Sequence, residues 1–387
     1  LVATKLIAPR LPAGLLPRPS LIHRLNEGLD KRLTLVSAPA GYGKSTLAAQ
    51  WLAARPEPFA WVTLDAADDD PIRFWTYVIT ACRRFAPAPG RAGLAALRAS
   101  QEPAFERVIT GLINDLTALP QTALLVLEDY HLIASETIHA GLSFLLDHLP
   151  PTLHLVLLTR SEPPLSLSRL RARNQVSEFG MGDLRFIEDE TRVLLEQEWG
   201  APVKREVVSR VYEQTEGWPA GIRLVCLALN GRRDPSAIEA YLASPPGQRR
   251  EVSDYLLGEV LDAQPEPVQA FLLKTSILNS LTPSLCDAVT GRVDSDAMLA
   301  RLERANLFLA PLSEHDGQTW RRYHALFAGA LRVAGRARLG EAAVRGLYEA
   351  ASAWYAAHGL TDQAIEAALA AQQYEGAAKL IEQTLDW

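Results

Sequence analysis

The residues with the clearest chemistry lie at 38–46, where the chain reads APAGYGKST. Gly41 and Gly43 let a backbone bend close to a bound anion, and amides opening the next helix point at it, which is the pattern of a phosphate-binding P-loop. With Ala40, Gly41, Tyr42 and Gly43 as the cradle, Lys44 is expected to reach the β- and γ-phosphates of ATP or a close relative. Ser45 is expected to offer its hydroxyl to Mg²⁺, and Thr46 to donate to an inner phosphate. The first glycine usual in this motif is Ala38 here.

A second constellation follows an apolar run in ALLVLEDYH, which ends on Glu128 and Asp129. Adjacent acids at a strand tip have work to do beside a P-loop: one can hold Mg²⁺ through water while the other orients an attacking water. Spacing does not say which acid takes which role. A third apolar run, LHLVLLT, delivers Arg160, a cation placed to sense the γ-phosphate; the competing reading pairs it with a surface acid such as Glu162. Asp65, after FAWVTLD, is a weaker crevice candidate, because an acid there more often caps the following helix.

For these side chains to meet, the runs carrying them must be parallel strands whose carboxyl ends share one crevice. RLTLVSA, FAWVTLD, ALLVLED, LHLVLLT and a weaker QVSEF alternate with helical patterns, as an α/β layer fold requires. Residues 1–30 read as an ordered lead-in with a helix at 21–29, and 31–185 as the P-loop nucleotide-binding domain. Strand signals then fade: helices near 188–198, 204–216 and 219–230 mark a helical domain over 186–248. Helices near 250–262, 265–274, 283–290 and 295–304, then a hairpin turning at Asp316–Gly317, predict a winged helix over 249–338. From 339 to 387, Ala-rich amphipathic segments broken near Gly359 and Gln373 read as the start of a helical-repeat arm. The expected fold class is thus an α/β P-loop NTPase, a parallel sheet flanked by helices, followed by helical, winged-helix and repeat parts.

Composition sets bounds on function. The 387 residues exceed what one core normally organises. A formal charge of −6 leaves no broad basic field for wrapping nucleic acid. The cysteines, Cys82, Cys226 and Cys286, fit neither a disulfide framework nor a zinc spacing. No apolar run reaches a membrane span and the first residues lack a signal-peptide core, so a cytoplasmic protein without membrane contact is expected. A start at Leu1 and an end inside a helical pattern at Trp387 point to a fragment trimmed at both ends.

These motifs, together with TEGWPAGIRL at 215–224, WRRYHALFAGALR at 320–332 and the lead-in KLIAPRLPAGLLPRPSL, resemble the signal-transduction ATPases with numerous domains. Among them the chain is most similar to the large ATP-binding LuxR-type transcription regulators, and the resemblance covers nearly all of it. It implies that Pro17 and Arg18 lie against the adenine, that Pro219 packs on the base or sugar, and that His324 meets the β-phosphate of bound ADP. It further implies an ATP/ADP switch with Mg²⁺: an ADP-bound closed monomer, an ATP-bound self-associating form, and slow hydrolysis through Glu128 and Asp129. Inducer and DNA would be read by C-terminal domains that this chain does not contain in full. Without the resemblance, Pro219 reads as the first turn of a helix and His324 as a satisfied core histidine. A remodelling ATPase of the AAA type and a nucleotide-stabilised scaffold are the rival functions. One departure is Glu128, where relatives often carry Asp, which bears on metal geometry more than on binding.

Overall fold

The computed structural model describes residues 1–11, 14–85, 89–99, 104–229, 235–315 and 318–385. It divides into two compact units, Leu1–Arg185 and Phe186–Trp387.

The first unit is built on five strands, β1 (Leu33–Ser37), β2 (Phe59–Thr63), β3 (Ala123–Glu128), β4 (Leu153–Thr159) and β5 (Val176–Phe179), in the order β2-β3-β4-β1-β5. Every pairing is parallel. Leu, Val and Ala fill β3 and β4, which are buried along their whole length, as a strand covered on both faces demands. The helices Pro71–Cys82, Phe105–Thr117 and Glu136–Asp147 supply Phe74, Trp75, Ile109, Leu112 and Leu142 to the core on one face. Gly141 permits the closest approach there: a Cβ would meet Ile109 and Trp75 at 2.9 Å.

β1 sits between β4 and β5, while the chain leaving it returns as β2 at the far edge. The crevice beyond the carboxyl end of β1 is therefore where neighbouring connections diverge, the place such sheets offer to a ligand. The lead-in is pinned to this body. Lys5 pairs with Asp65 at 2.6 Å and with the fully buried Asp68, and the Val2 amide donates to the Tyr77 hydroxyl at 2.9 Å. Asp65 also accepts the Ala67 amide as a helix cap, so the capping reading describes its contacts.

The second unit begins with the helices Glu188–Trp199, Arg205–Thr215 and Pro219–Ala228, packed around Leu195, Val208, Val211, Ile222 and Val225. A further helix, Pro235–Ala243, follows. The expected helix over 250–262 is composite: Arg250–Leu256 is α-helical, and Leu257–Leu261 widens into a π turn closed by the Asp262 amide on the Leu257 carbonyl at 2.8 Å. The helices Glu266–Thr275, Pro283–Thr290 and Ser295–Arg304 precede an antiparallel hairpin, β6 (Leu309–His315) and β7 (Gln318–Tyr323), and the helix Ala325–Leu339. The hairpin's turn at Asp316–Gly317 lies outside the described residues. Three more helices, Glu341–Ala357, Thr361–Ala370 and Tyr374–Leu385, are separated where Gly359 and Gln372 take positive φ. Among the described residues no helix is long and apolar enough to cross a membrane.

Candidate phosphate-binding site

The loop after β1 has the backbone that its glycines license. Gly41 and Gly43 take φ of 75° and 79°, values that cost an L side chain but not glycine. Gly43 caps the helix Lys44–Ala53, so the helix begins on the loop itself. The loop's entry is tied to β4 by the Ala38 amide on the Thr159 carbonyl at 3.3 Å. Ala40 and Tyr42 are buried, and Ser45 and Thr46 half-buried, at the helix start.

Lys44 folds back into this loop. Its ammonium, only 8% exposed, donates to the carbonyls of Ala38 at 2.7 Å and Pro39 at 2.9 Å. Burial, then the Arg160 guanidinium, push its pKa down to about 8, against the pull of Asp129 and Glu128. The Lys44 ammonium thus feels a second positive charge at a loop whose helix N-terminus also favours negative charge, an electrostatic setting that suits a polyphosphate. Among the described residues no group of three or more His, Cys, Asp or Glu could cage a metal. Ser45 at the helix start and Glu128 and Asp129 at the end of β3 are oxygen donors, the kind Mg²⁺ takes in small number while sharing its shell with phosphate and water.

The two acids at the end of β3 differ. Glu128 is buried, and its Oε2 accepts from the Trp61 indole at 2.9 Å and the Thr63 hydroxyl at 2.7 Å. Asp129 is half-buried and takes the left-handed conformation, φ 58°, which bends the chain into the short turn Tyr130–Leu132. That bend brings round a residue the sequence reading passed over. His131 Nδ1 lies 3.9 Å from Asp129 Oδ1 and is buried without a hydrogen-bond partner. Burial, then Arg160 and Lys44, lower the His131 pKa to about 3, so the ring is neutral. A histidine two residues past an acidic strand tip was visible in the sequence, but only the left-handed turn gives it a place in the crevice. Arg160 acts electrostatically on both Lys44 and His131, and Glu162 accepts from Arg171 at 2.9 Å.

The remaining candidates have firm structural occupations. Pro17 is exposed. Arg18 donates to three successive carbonyls, Asp183 at 3.2 Å, Leu184 at 2.7 Å and Arg185 at 3.1 Å. Pro219 is half-buried at the first position of its helix. His324 is 5% exposed; its Nε2 donates to the Thr215 carbonyl at 2.9 Å and its Nδ1 accepts the Leu326 amide at 3.3 Å, capping the helix it opens. Beside it, the Glu216 carboxylate receives Arg322 through both terminal nitrogens, at 2.6 and 2.8 Å, and the Ala325 amide at 3.1 Å. Burial alone would raise the Glu216 pKa, but the Arg322 hydrogen bonds hold it down to about 2.

A parallel sheet with a P-loop after β1 and acids after β3 defines a P-loop NTPase, a class whose fold carries nucleotide binding. Residues 20–158 match the AAA ATPase domain model, and 257–343 match the MalT winged helix domain. The HTH-type transcriptional regulator MalT of Serratia proteamaculans (strain 568) is 34% identical over 96% of this chain, and that of Cronobacter sakazakii (strain ATCC BAA-894) 32% identical over the same share. Over nearly its whole length the chain is thus similar to the MalT regulators. It spans about 40% of the length of these curated relatives. A solved Walker-type ATPase of Pyrococcus abyssi shares the fold, with a TM-score of 0.55 and 15% identity over 83% of this chain and 97% of that one.

Proposed function

We propose that this chain is the nucleotide-controlled core of an inducer-responsive transcription activator, switching between ADP and ATP. The observation that carries the reading is the buried Lys44 ammonium, held inside the P-loop by the carbonyls of Ala38 and Pro39 at the start of a helix: a buried cation there calls for the phosphates of a nucleotide. Mg²⁺ bound with ATP neutralises phosphate charge, and Ser45, with Glu128 through water, would hold it. Asp129, whose left-handed turn sets His131 beside it, is the acid assigned to orient the attacking water. Neutral His131 beside it would support that water's position without bringing a charge of its own. Hydrolysis is slow, as a timer requires. ADP favours a closed monomer and ATP a self-associating form.

Pro219 and His324 are assigned to the nucleotide on the strength of the MalT-like sequence. To reach a phosphate, the His324 Nε2–H must leave the Thr215 carbonyl, so His324 would exchange one acceptor for another. The test is to identify the nucleotide that copurifies with the chain, then to compare His324→Ala with the unmodified chain for ADP affinity, ATP affinity and mass by light scattering. Retained ADP, and a variant that loses ADP more than ATP while self-associating more readily, support the switch. Equal weakening of both nucleotides refutes the role of His324. Turnover that is fast and rises with ring assembly favours a remodelling ATPase instead. If Asp129→Ala changes neither ATP decay nor self-association, the nucleotide serves only to stabilise the fold.

A further inference from the structure

β2 and β3 run parallel with Thr63 opposite Glu128, and alternation along a strand puts Trp61 on the same face as Thr63. These three side chains form a closed triangle. The Trp61 indole N–H is shared between the Thr63 hydroxyl at 3.0 Å and Glu128 Oε2 at 2.9 Å, and the Thr63 O–H donates to that same Oε2 at 2.7 Å. Trp61 is 1% exposed and Glu128 9%, so a carboxylate is drawn into the protein where only charge-assisted hydrogen bonds offset its desolvation.

Both donors converge on one oxygen. The other, Oε1, is then the one available to a metal-bound water. A glutamate at this strand end has one more rotatable bond than an aspartate, and the triangle removes the freedom that bond adds. We infer that Trp61 and Thr63 are positioning residues that present Glu128 to hydrated Mg²⁺ beside the nucleotide. This rests on the nucleotide-binding reading above. It also accounts for how a longer acid serves at this strand end: the neighbouring strand carries donors at the reach of Glu.

The triangle could serve only to satisfy a buried acid, and the experiment must separate that role from positioning. The full chain is titrated with a fluorescent non-hydrolysable ATP analogue, in EDTA and across a range of Mg²⁺ concentrations, and ATP turnover is followed over the same range. Thr63→Val keeps the shape and removes the donor; Thr63→Ser keeps the donor. Thr63→Val is expected to raise the Mg²⁺ concentration for half-maximal effect about tenfold, the usual result of removing a hydrogen bond behind a metal's immediate ligands. Affinity in EDTA should stay unchanged, and Thr63→Ser should behave as the unmodified chain. Trp61→Phe should shift the Mg²⁺ response in the same direction, and serves if Thr63→Val does not fold. In a Glu128→Gln background Thr63→Val should add nothing to the Mg²⁺ response.

An unaltered Mg²⁺ response in Thr63→Val, or equal weakening with and without metal, overturns the inference while leaving the nucleotide reading intact. Failure of the unmodified chain to bind the analogue overturns both.

Discussion

Lys44 gives the most direct test of the site, because its surroundings change sign when a polyphosphate arrives. In the structure its ammonium is buried, feels the positive charge of Arg160, and has its pKa lowered to about 8 from 10.5. Phosphate oxygens placed against this ammonium would restore the ordinary lysine value, so binding must take up a proton whenever free Lys44 has already lost one. With a free value near 8 and a bound value near 10.5, uptake is about half a proton at pH 8 and about 0.9 at pH 9. The same linkage weakens binding about fivefold over that interval. ADP in EDTA is the probe, since its phosphates are fully ionised throughout this range. Isothermal titration calorimetry in two buffers of different ionisation enthalpy at each pH counts the protons. Lys44→Arg, which keeps its charge, should bind ADP with no pH-dependent uptake. Equal uptake at the two pH values, or uptake that persists in Lys44→Arg, would refute the argument that burial and Arg160 hold this ammonium poised.

Glu216 provides a stability test with the opposite sign. Its pKa in the folded chain is held at about 2, below the unfolded value, so its contribution is fully present above pH 4.5 and is lost as pH falls through about 2. Discounted for partial solvent exposure, that contribution is about 2 kcal/mol. Glu216→Gln should therefore lower stability by that amount at pH 7 in urea denaturation, with the difference from the unmodified chain shrinking below pH 4; a difference independent of pH would count against the ion pair with Arg322. His131→Ala should slow single-turnover ATP hydrolysis by about 10- to 100-fold with little change in nucleotide affinity. Because the His131 pKa is lowered to about 3, its titration should leave no inflection between pH 5 and 8 in the rate of the unmodified chain; parallel loss of affinity would make it a packing residue.

The architecture was largely legible because its signals are local. Five apolar runs became five parallel strands, and the P-loop lies between β1 and a helix. The three runs after 186 became the helices Glu188–Trp199, Arg205–Thr215 and Pro219–Ala228. What escaped depends on neighbours that sequence does not align. Trp61 and Thr63 reach Glu128 only through the β2–β3 register, and His131 enters the crevice only through the left-handed turn at Asp129. The π turn at Leu257–Leu261 has the residues of an ordinary helix, and nothing in its pattern announces the extra residue per turn. Arg18 and His324 show the converse. Their type and position were noticed, yet the hydrogen bonds that hold them, to the carbonyls of Asp183, Leu184, Arg185 and Thr215, involve backbone groups that no side-chain motif encodes.

The grip of Arg18 on Asp183, Leu184 and Arg185 makes the first unit a loop fastened near its two ends. The contacts join residues 165 to 167 positions apart, enclosing the whole sheet and every residue of the phosphate site within that unit. These hydrogen bonds form only once the sheet has brought the two ends together, so they offset a long loop's closure in the folded chain and are lost with the fold. The lead-in therefore has a value independent of any ligand: it ties Arg18 to the last three residues of the first unit.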